Sequence, residues 1–280
     1  MFWNRFKTAI LLAALSGLLL FAGRMLGGTT GLHFALVLAL IVNFVAYFFS
    51  DKMILAFYGA KPLNEKKYDY VHEITEELCD RAKLPKPKLW LVPGNIANAF
   101  ATGRSPKHSS VAVTEGILHL LDESELRGVI AHELSHIKNR DVLISTIAAT
   151  VAMAIGYVAN MMRWSLIFGG SRDREGGTVG AIAAVILMPI AATLIQLAIS
   201  RSREFLADES GAKISQAPLA LASALEKISA GPKVEATSQA AAATENMFII
   251  NPFSRKGLMK LLSTHPAPEE RIKRLHDMAR

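Results

Sequence analysis

The chain has 280 residues, 51% of them hydrophobic, and a mean hydropathy of +0.29, which is high for a soluble globular protein and favours a membrane protein. Its net charge of +7 suits the anionic cytoplasmic leaflet of a membrane better than nucleic acid, because the sequence has no aromatic-interleaved basic motif and no finger spacing. A single cysteine excludes an intramolecular disulfide and a thiolate zinc cluster, so metal chemistry must use histidines and carboxylates.

Two apolar segments open the chain, residues 8–26 and 32–50. Each is close to the ~20 residues that a helix needs to cross a bilayer. GGTTG between them predicts a tight hairpin. A cleaved signal peptide is the alternative for the first segment, but no small-residue cleavage site precedes a polar start and a second apolar segment follows at once. We therefore expect a membrane hairpin.

Basic residues flank this hairpin on both sides. Arg5 and Lys7 precede it, and four lysines follow it within residues 52–67. Because cytoplasmic flanks of membrane segments are enriched in Lys and Arg, both flanks are predicted to face the cytoplasm.

The polar stretch that follows predicts an α+β domain. NEKKYDYVHEITEELCDRAKL has the period of an amphipathic helix, whereas KLWLV and SSVAVT are typical of short strands. The alternating ANAFA between them could form an edge strand open to an extended peptide or an ordinary half-buried strand, and the sequence leaves both interpretations open. DESELRGVIAHELSHIKN predicts a helix that begins with a capping box of Asp122 and Glu125.

The HELSH motif within that helix has the H-E-x-x-H pattern. His132 and His136 lie one helical turn apart on the same face, so both can bind one metal ion, with Glu133 beside it. Catalytic zinc usually has three protein ligands and an open position, so a third ligand must come from elsewhere in the chain.

Two more apolar segments follow, at about 142–162 and 179–200. Each is long enough to span a membrane, although their small residues would also suit buried helices of a large core. If both cross, they form a second hairpin whose ends lie on the same side.

ISRSREFLADES, after the second of these segments, supplies the candidate third ligand. Glu204 and Asp208 are four residues apart and share a helix face, where one could bind zinc and the other could orient a ligand histidine. A solvated acidic helix face is the alternative. A second membrane hairpin would bring Glu204 back to the side of His136, which favours the metal interpretation and places the site at the membrane surface.

HELSH with KNRD after it, SREFLAD and the late STHPAPEER together resemble the HtpX family of bacterial membrane zinc metalloproteases, to which the CAAX prenyl proteases are related. The resemblance covers nearly the whole chain. It implies a mostly helical gluzincin-type domain with a small sheet, and about four transmembrane helices. By resemblance, one zinc ion per chain is bound by His132, His136 and Glu204, with Glu133 as general base and Asp208 as a residue that orients a ligand.

Four further positions enter through the resemblance. His265 would stabilise the tetrahedral oxyanion, with Arg271 near it in the pattern; a helix-flanking loop residue and an exposed helix residue are the alternatives. Asn98 and Ala99 would contact substrate, because a strand at this place borders the active-site cleft in the resembling families.

The domain organisation follows from these elements: a membrane hairpin in residues 1–55, a cytoplasmic metalloprotease domain in 56–140 and 201–280, and a second hairpin in 141–200. The expected function is a multi-pass zinc endopeptidase of the bacterial inner membrane that cleaves misfolded or damaged membrane proteins in quality control and stress response. Its partners would be protein substrates and the lipid bilayer, not nucleic acid, and the sequence leaves a homo-oligomer open. A narrow-specificity CAAX-type processing peptidase and a non-catalytic membrane scaffold are the competing hypotheses.

Overall fold

The computed structural model describes residues 2–150, 201–231, 248–250 and 266–280. Its helices and strands are α1 (Phe2–Phe57), β1 (Lys61–Pro62), α2 (Asp69–Ala82), β2 (Lys88–Val92), β3 (Ala99–Ser105), β4 (His108–Thr114), α3 (Glu115–Leu120), α4 (Glu123–Asn139), α5 (142–150), α6 (Arg201–Ser215), α7 (Pro218–Ala230) and α8 (Pro268–Met278). Helices surround one small sheet, in agreement with the predicted α+β class.

Helix α1 folds back on itself near its middle. A straight helix would separate Ser16 from Asn43 by about 40 Å at ~1.5 Å per residue. Instead the Asn43 side-chain amide donates a hydrogen bond to the Ser16 hydroxyl at 2.7 Å. Gly28, close to the midpoint between these two residues, has a φ of +59°, a left-handed conformation that glycine adopts readily. The two predicted apolar segments therefore pack side by side. The residues before and after Gly28 are helical, so the turn between the segments is shorter than the five residues of GGTTG.

One candidate membrane span occurs among the described residues, Gly28–Phe57 in the second half of α1. Most of its surface is exposed, with large apolar side chains such as Phe34, Leu40 and Phe44 open to the surroundings. The four-span expectation is therefore supported for one helix by length and apolarity. The predicted spans at 142–162 and 179–200 lie largely outside the described residues.

The sheet has four strands in the order β1-β2-β4-β3. Strand β2 is parallel to β4, whereas β3 is antiparallel to β4 and lies at the edge, as one interpretation of ANAFA predicts. The β3–β4 hairpin has an irregular register at Gly103, whose φ is +136°. A Cβ atom there would lie 2.2 Å from the carbonyl oxygen of His108, so the close approach of the two strands requires glycine.

Helix α4 lies at the centre of the domain and is covered by α2, α6, α7 and β3. Its apolar side chains form the main core, including the fully buried Leu126, Ile130 and Leu134. Gly128 allows α7 to pack directly on α4, since a Cβ atom there would lie 2.9 Å from the backbone of Leu221. The HELSH motif thus lies on a helix of which eleven of 17 residues are buried.

The predicted capping box at the start of α4 is confirmed. The Asp122 side chain accepts a hydrogen bond from the Glu125 backbone N–H at 2.9 Å, and the Glu125 carboxylate accepts one from the Asp122 N–H at 3.0 Å. Glu125 also accepts hydrogen bonds from Ser223 and Lys227 of α7. The cap therefore joins the start of α4 to its neighbouring helix.

Replacing the cap should destabilise the domain without changing the site. We expect Asp122→Ala to lower the free energy of unfolding by about 1 kcal/mol, because the N–H of Glu125 loses its acceptor. Thermal unfolding of the purified protein in detergent measures this as a lower Tm. Asp122→Asn, which keeps a capping oxygen, should retain most of the stability; an equal loss in both variants would contradict the capping role.

Candidate metal centre and active site

The two motif histidines and Glu204 bring three potential ligand atoms together. The Nε2 atoms of His132 and His136 are 3.1 Å apart, and the Glu204 carboxylate oxygens lie 3.8 Å from the first and 3.7 Å from the second. Ligands at the ~2.0–2.1 Å typical of zinc in a tetrahedral site would be separated by about 3.3 Å. The three predicted ligands therefore fit one metal ion of this kind.

Close packing of α6 on α4 delivers Glu204 to the histidines. Glu204, Asp208 and Gly211 follow one another at helical spacing and share the face of α6 that meets α4. A Cβ atom on Gly211 would lie 2.9 Å from the backbone nitrogen of His132. Glycine at this position therefore sets how closely the third ligand approaches the first.

Asp208 and Arg271 support His132 from behind. Asp208 Oδ1 lies 2.9 Å from Nδ1 of His132, a hydrogen-bond distance, although the oxygen lies away from the direction of the ring N–H. The guanidinium of Arg271 binds both carboxylate oxygens of Asp208, at 2.7 and 2.8 Å, and is only 1% exposed. Burial alone would raise the pKa of Asp208, but the Arg271 charge outweighs burial and holds that pKa well below its usual range.

Asp141 plays the corresponding part for His136, and the sequence analysis did not assign it a role. Its Oδ2 lies 3.2 Å from Nδ1 of His136. Arg140 ends α4 with a φ of +57°, a left-handed turn that carries Asp141 back towards the helix. The available signal was an acidic residue immediately after the metal helix, in KNRD.

The carboxylates around His136 make the site attractive to cations. Burial would lower the pKa of this imidazole, but Asp141, Glu204 and Glu133 together raise it to about 10. The same negative potential that favours a proton on His136 favours a divalent metal, which replaces the proton when the neutral imidazole binds it.

Glu133 faces the same space as the ligands. It is 4% exposed, and the backbone N–H of Ala101 in β3 donates a hydrogen bond to its carboxylate. Burial is the largest effect and raises its pKa; Glu204 also raises it, whereas His132 and His136 act in the opposite direction. A raised pKa makes this carboxylate a stronger base than an exposed glutamate.

A cavity of about 40 Å³ adjoins these groups, large enough for a water molecule. Its lining combines the ligands and Glu133 with apolar side chains, among them Phe100, Val142 and Phe248.

The structure places the other predicted site residues unequally. Asn98 is buried, and its side-chain oxygen accepts a hydrogen bond from the Ile249 N–H at 3.0 Å, so this amide holds a neighbouring segment. Ala99 begins the edge strand β3 and lies two residues before Ala101, on the same face of the strand. Arg271 donates a further hydrogen bond to the Ile249 carbonyl at 2.7 Å and is therefore buried, not an exposed helix residue. His265 lies outside the described residues.

Comparison with known proteins identifies the family. The sequence model of peptidase family M48 matches residues 65–279, a range that includes all the residues of the candidate site. The chain belongs to peptidase family M48. It is therefore a metalloprotease, and the predicted resemblance to the HtpX family is confirmed.

Relatives match this M48 peptidase over nearly its full length. A protein named Protease HtpX homolog from Aquifex aeolicus is 52% identical over 272 residues, covering 95% of this chain and 90% of the relative. A protein of the same name from Pyrococcus furiosus is 53% identical over 275 residues, covering 98% and 95%.

Among solved structures, S. mikatae Ste24p is similar, with a TM-score of 0.52 and 18% identity over 98% of this chain and 66% of that one. At this identity the similarity concerns the fold alone.

The contact at Gly211 yields a test of the site geometry. We expect Gly211→Ala to weaken metal binding on the order of tenfold, the lower end of the loss seen when the groups behind a metal site are disturbed. The loss should occur although alanine favours a helix by about 1 kcal/mol over glycine. Gly17→Ala is the matched control, since a Cβ atom there meets nothing within 4 Å. Titration of the apo-protein with zinc measures both affinities, and equal affinities would mean that α6 adjusts without moving Glu204.

Proposed function

We propose that this M48 peptidase is a zinc-dependent endopeptidase of the cytoplasmic membrane, with its active site on the cytoplasmic side, that cleaves misfolded or damaged membrane proteins. The observation that carries the proposal is the set of three ligand atoms, one each from His132, His136 and Glu204, that lie within 4.8 Å of one another beside the buried Glu133 carboxylate and the edge strand β3. A purely structural zinc site has no need of a base and closes its fourth position with a protein ligand, so Glu133 argues against the scaffold hypothesis.

His132, His136 and Glu204 would hold one zinc ion per chain. Bound zinc supplies the Lewis acidity that activates water and polarises a scissile carbonyl. The donors fit such a role because two imidazoles and one carboxylate would supply the three protein ligands of a catalytic zinc site, with water as the fourth ligand. Asp208 and Asp141 would keep the two imidazoles oriented with Nε2 towards the ion.

Glu133 would transfer the protons. In its ionised form it accepts a proton from the attacking water, and its raised pKa strengthens it as a base. The protonated carboxyl then donates that proton to the leaving amine. The N–H of Ala101 fixes the position of the carboxylate between the cavity and β3.

The edge strand would bind substrate. Because β3 pairs with β4 on one side, its other edge can pair with an extended peptide that runs past Glu133. Ala99 would contribute through its backbone. Asn98 would act indirectly by holding Ile249 at the cavity wall, since its side chain is already hydrogen-bonded there. For the oxyanion we keep His265 as the proposed donor, with Arg271 as support for Asp208.

Membrane placement rests on α1 and on charge. The second half of α1 is long and apolar, and the basic residues at both flanks of the hairpin favour the cytoplasm for the peptidase domain. A site so placed would reach the cytoplasmic segments of membrane proteins. Misfolded or damaged chains supply the extended segments that an edge strand can bind.

Glu133→Gln is the decisive variant. It should keep zinc and fold but lower hydrolysis of an unfolded protein by about 10²–10⁴-fold, because an amide cannot accept the proton of water. Metal analysis and proteolysis are measured on the same purified sample. Substantial residual activity in the zinc-loaded variant would contradict the role of Glu133 as base.

Two kinds of control separate base from ligand. Glu209→Gln makes the same change on the exposed face of α6 and should leave activity unchanged. His132→Ala, His136→Ala and Glu204→Ala should instead lower the zinc content itself. Full metal content in Glu204→Ala would remove this residue from the ligand set.

The second hairpin gives a separate topology test. We expect residues 165–178 to face outward, because a hairpin that returns Glu204 to His136 must cross the bilayer twice or not at all. Single cysteines at Ser165 and Thr178, in a Cys79→Ser background, should react with an impermeant thiol reagent in intact cells. Labelling only in inside-out vesicles would exclude the two spans and leave the metal site intact.

A further inference from the structure

Strand β3 runs beside the end of α1 in the opposite direction. The ring of Tyr58, just after α1, lies 5.4 Å from the ring of Phe100 at the start of β3. Ten residues earlier on α1, the ring of Phe48 lies 5.1 Å from the guanidinium of Arg104, near the end of β3. Ten helical residues span about 15 Å and four strand residues about 13 Å, so the two contacts are about equally far apart along both elements, which therefore run side by side. The β3–β4 turn therefore points along α1 towards its apolar part.

The α1 surface at the level of this turn has the composition of a membrane interface. It carries four exposed aromatic side chains within six residues, Phe44, Tyr47, Phe48 and Phe49. Lys52 places its ammonium 5.3 Å from the ring of Phe49, next to Asp51. Aromatic rings and the cations that extend beside them are enriched where a span leaves the hydrocarbon.

The end of the sheet at this level is basic. Residues 81–114 contain no Asp or Glu and six Lys and Arg residues. Arg104, Lys107 and His108 lie at the turn, and Lys88 pairs in register with Ser110 at the same end of the sheet. Lys86 is already paired with Glu76, and Glu115 follows the opposite end of β4. Among the described residues Arg104, Lys107 and Lys88 make no ion pair, and they lie at the end of the sheet where α1 becomes apolar. Lys61 of β1 pairs in register with Leu91 and lies at the opposite end.

We propose that the β3–β4 turn, residues 104–108, binds anionic lipid headgroups at the surface of the bilayer that α1 enters. The proposal rests on the membrane placement proposed above and adds a second contact with the membrane, made by the substrate-binding strand itself. Ala101 and Arg104 are three residues apart, so the N–H that holds Glu133 lies about 10 Å from the headgroups. The turn would thereby set the height of the active site above the membrane.

Lipid quenching can locate the turn directly. The full chain with Cys79→Ser, in nanodiscs of neutral lipid or of neutral lipid with phosphatidylglycerol, carries one fluorescent label at Pro106→Cys, at Ile96→Cys or at Phe44→Cys. Ile96 is exposed near the opposite end of the sheet, and Phe44 is exposed on α1. Headgroup-quenching lipid should quench position 106, more strongly with phosphatidylglycerol, and should leave position 96 unquenched. Chain-quenching lipid should quench position 44.

Charge variants test the recognition. Arg104→Gln with Lys107→Gln should abolish the extra quenching that phosphatidylglycerol produces at position 106. Lys273→Gln with Arg280→Gln removes the same charge from α8 and the chain end, and should leave that quenching unchanged. The zinc content and the Tm of both double variants should equal those of the unaltered protein, which verifies their fold.

Each adverse result has a distinct meaning. Quenching at position 44 without quenching at 106 would overturn the proposed turn contact while α1 stays in the bilayer. If neither position is quenched, the membrane placement fails as well. Protection of position 106 from aqueous iodide without lipid quenching would indicate a protein partner, a second copy included, and would also overturn the proposal.

Discussion

Charge compensation in a buried space is the constraint on which the site depends. Glu133, Glu204, Asp208 and Asp141 place four carboxylates around the two histidines. Two guanidinium groups face them: Arg271, bound to Asp208, and Arg203, whose charge is near Asp141 and Glu204. With both imidazoles neutral, as metal ligands are, two negative charges remain, which one divalent ion would balance. Because uncompensated buried charge is costly, the donor set is one that a dication stabilises.

The fold meets this constraint by holding the charged groups on rigid elements. Helix α4 is packed on almost every side, which fixes the histidines, and Gly211 brings α6 close enough for Glu204 to reach them. Arg271 joins α8 to Asp208 and to the Ile249 carbonyl, and Asn98 holds the N–H of the same Ile249. Hydrogen bonds therefore connect Asp208, whose carboxylate contacts His132, to the residue before the edge strand. Displacement of Asp208, Arg271 or Asn98 would therefore shift both the support of His132 and the position of Ile249 at the cavity wall.

Local patterns predicted the parts of the site that lie within one helix. His132, Glu133 and His136 follow from helical spacing, and Asp122 with Glu125 from the capping rule. Helical spacing also predicted that Glu204 and Asp208 share one helix face. That this face lies against α4 was predicted only because a second membrane hairpin would bring Glu204 back to the side of His136. Strands β2 and β4 were predicted nearly to their ends because their alternation is local.

What escaped prediction depends on contacts between distant segments. The role of Asp141 depends on the left-handed conformation of Arg140, which the sequence does not predict because arginine does not favour that conformation. The Asn98 side chain accepts a hydrogen bond from a backbone N–H 151 residues away, a group that sequence patterns cannot identify. Gly211 acts through the space it leaves empty, and only the neighbouring helix shows that the space matters. Such features can be found in a sequence only when the packing around them is known.

Helix α1 and the peptidase domain meet at β3, and this placement would limit what the enzyme cleaves if β3 binds substrate as proposed. Ile54 and Leu55 at the end of α1 are buried against Phe100 of β3, so the apolar helix packs directly on the strand. A substrate that pairs with the edge of β3 must be extended over several residues, which excludes folded domains. It must also reach a strand that lies beside a helix long and apolar enough to cross a bilayer. Under the proposed function, unfolding near the membrane would be the condition for cleavage, and selectivity would follow from the position and extension of the substrate without recognition of a particular side chain.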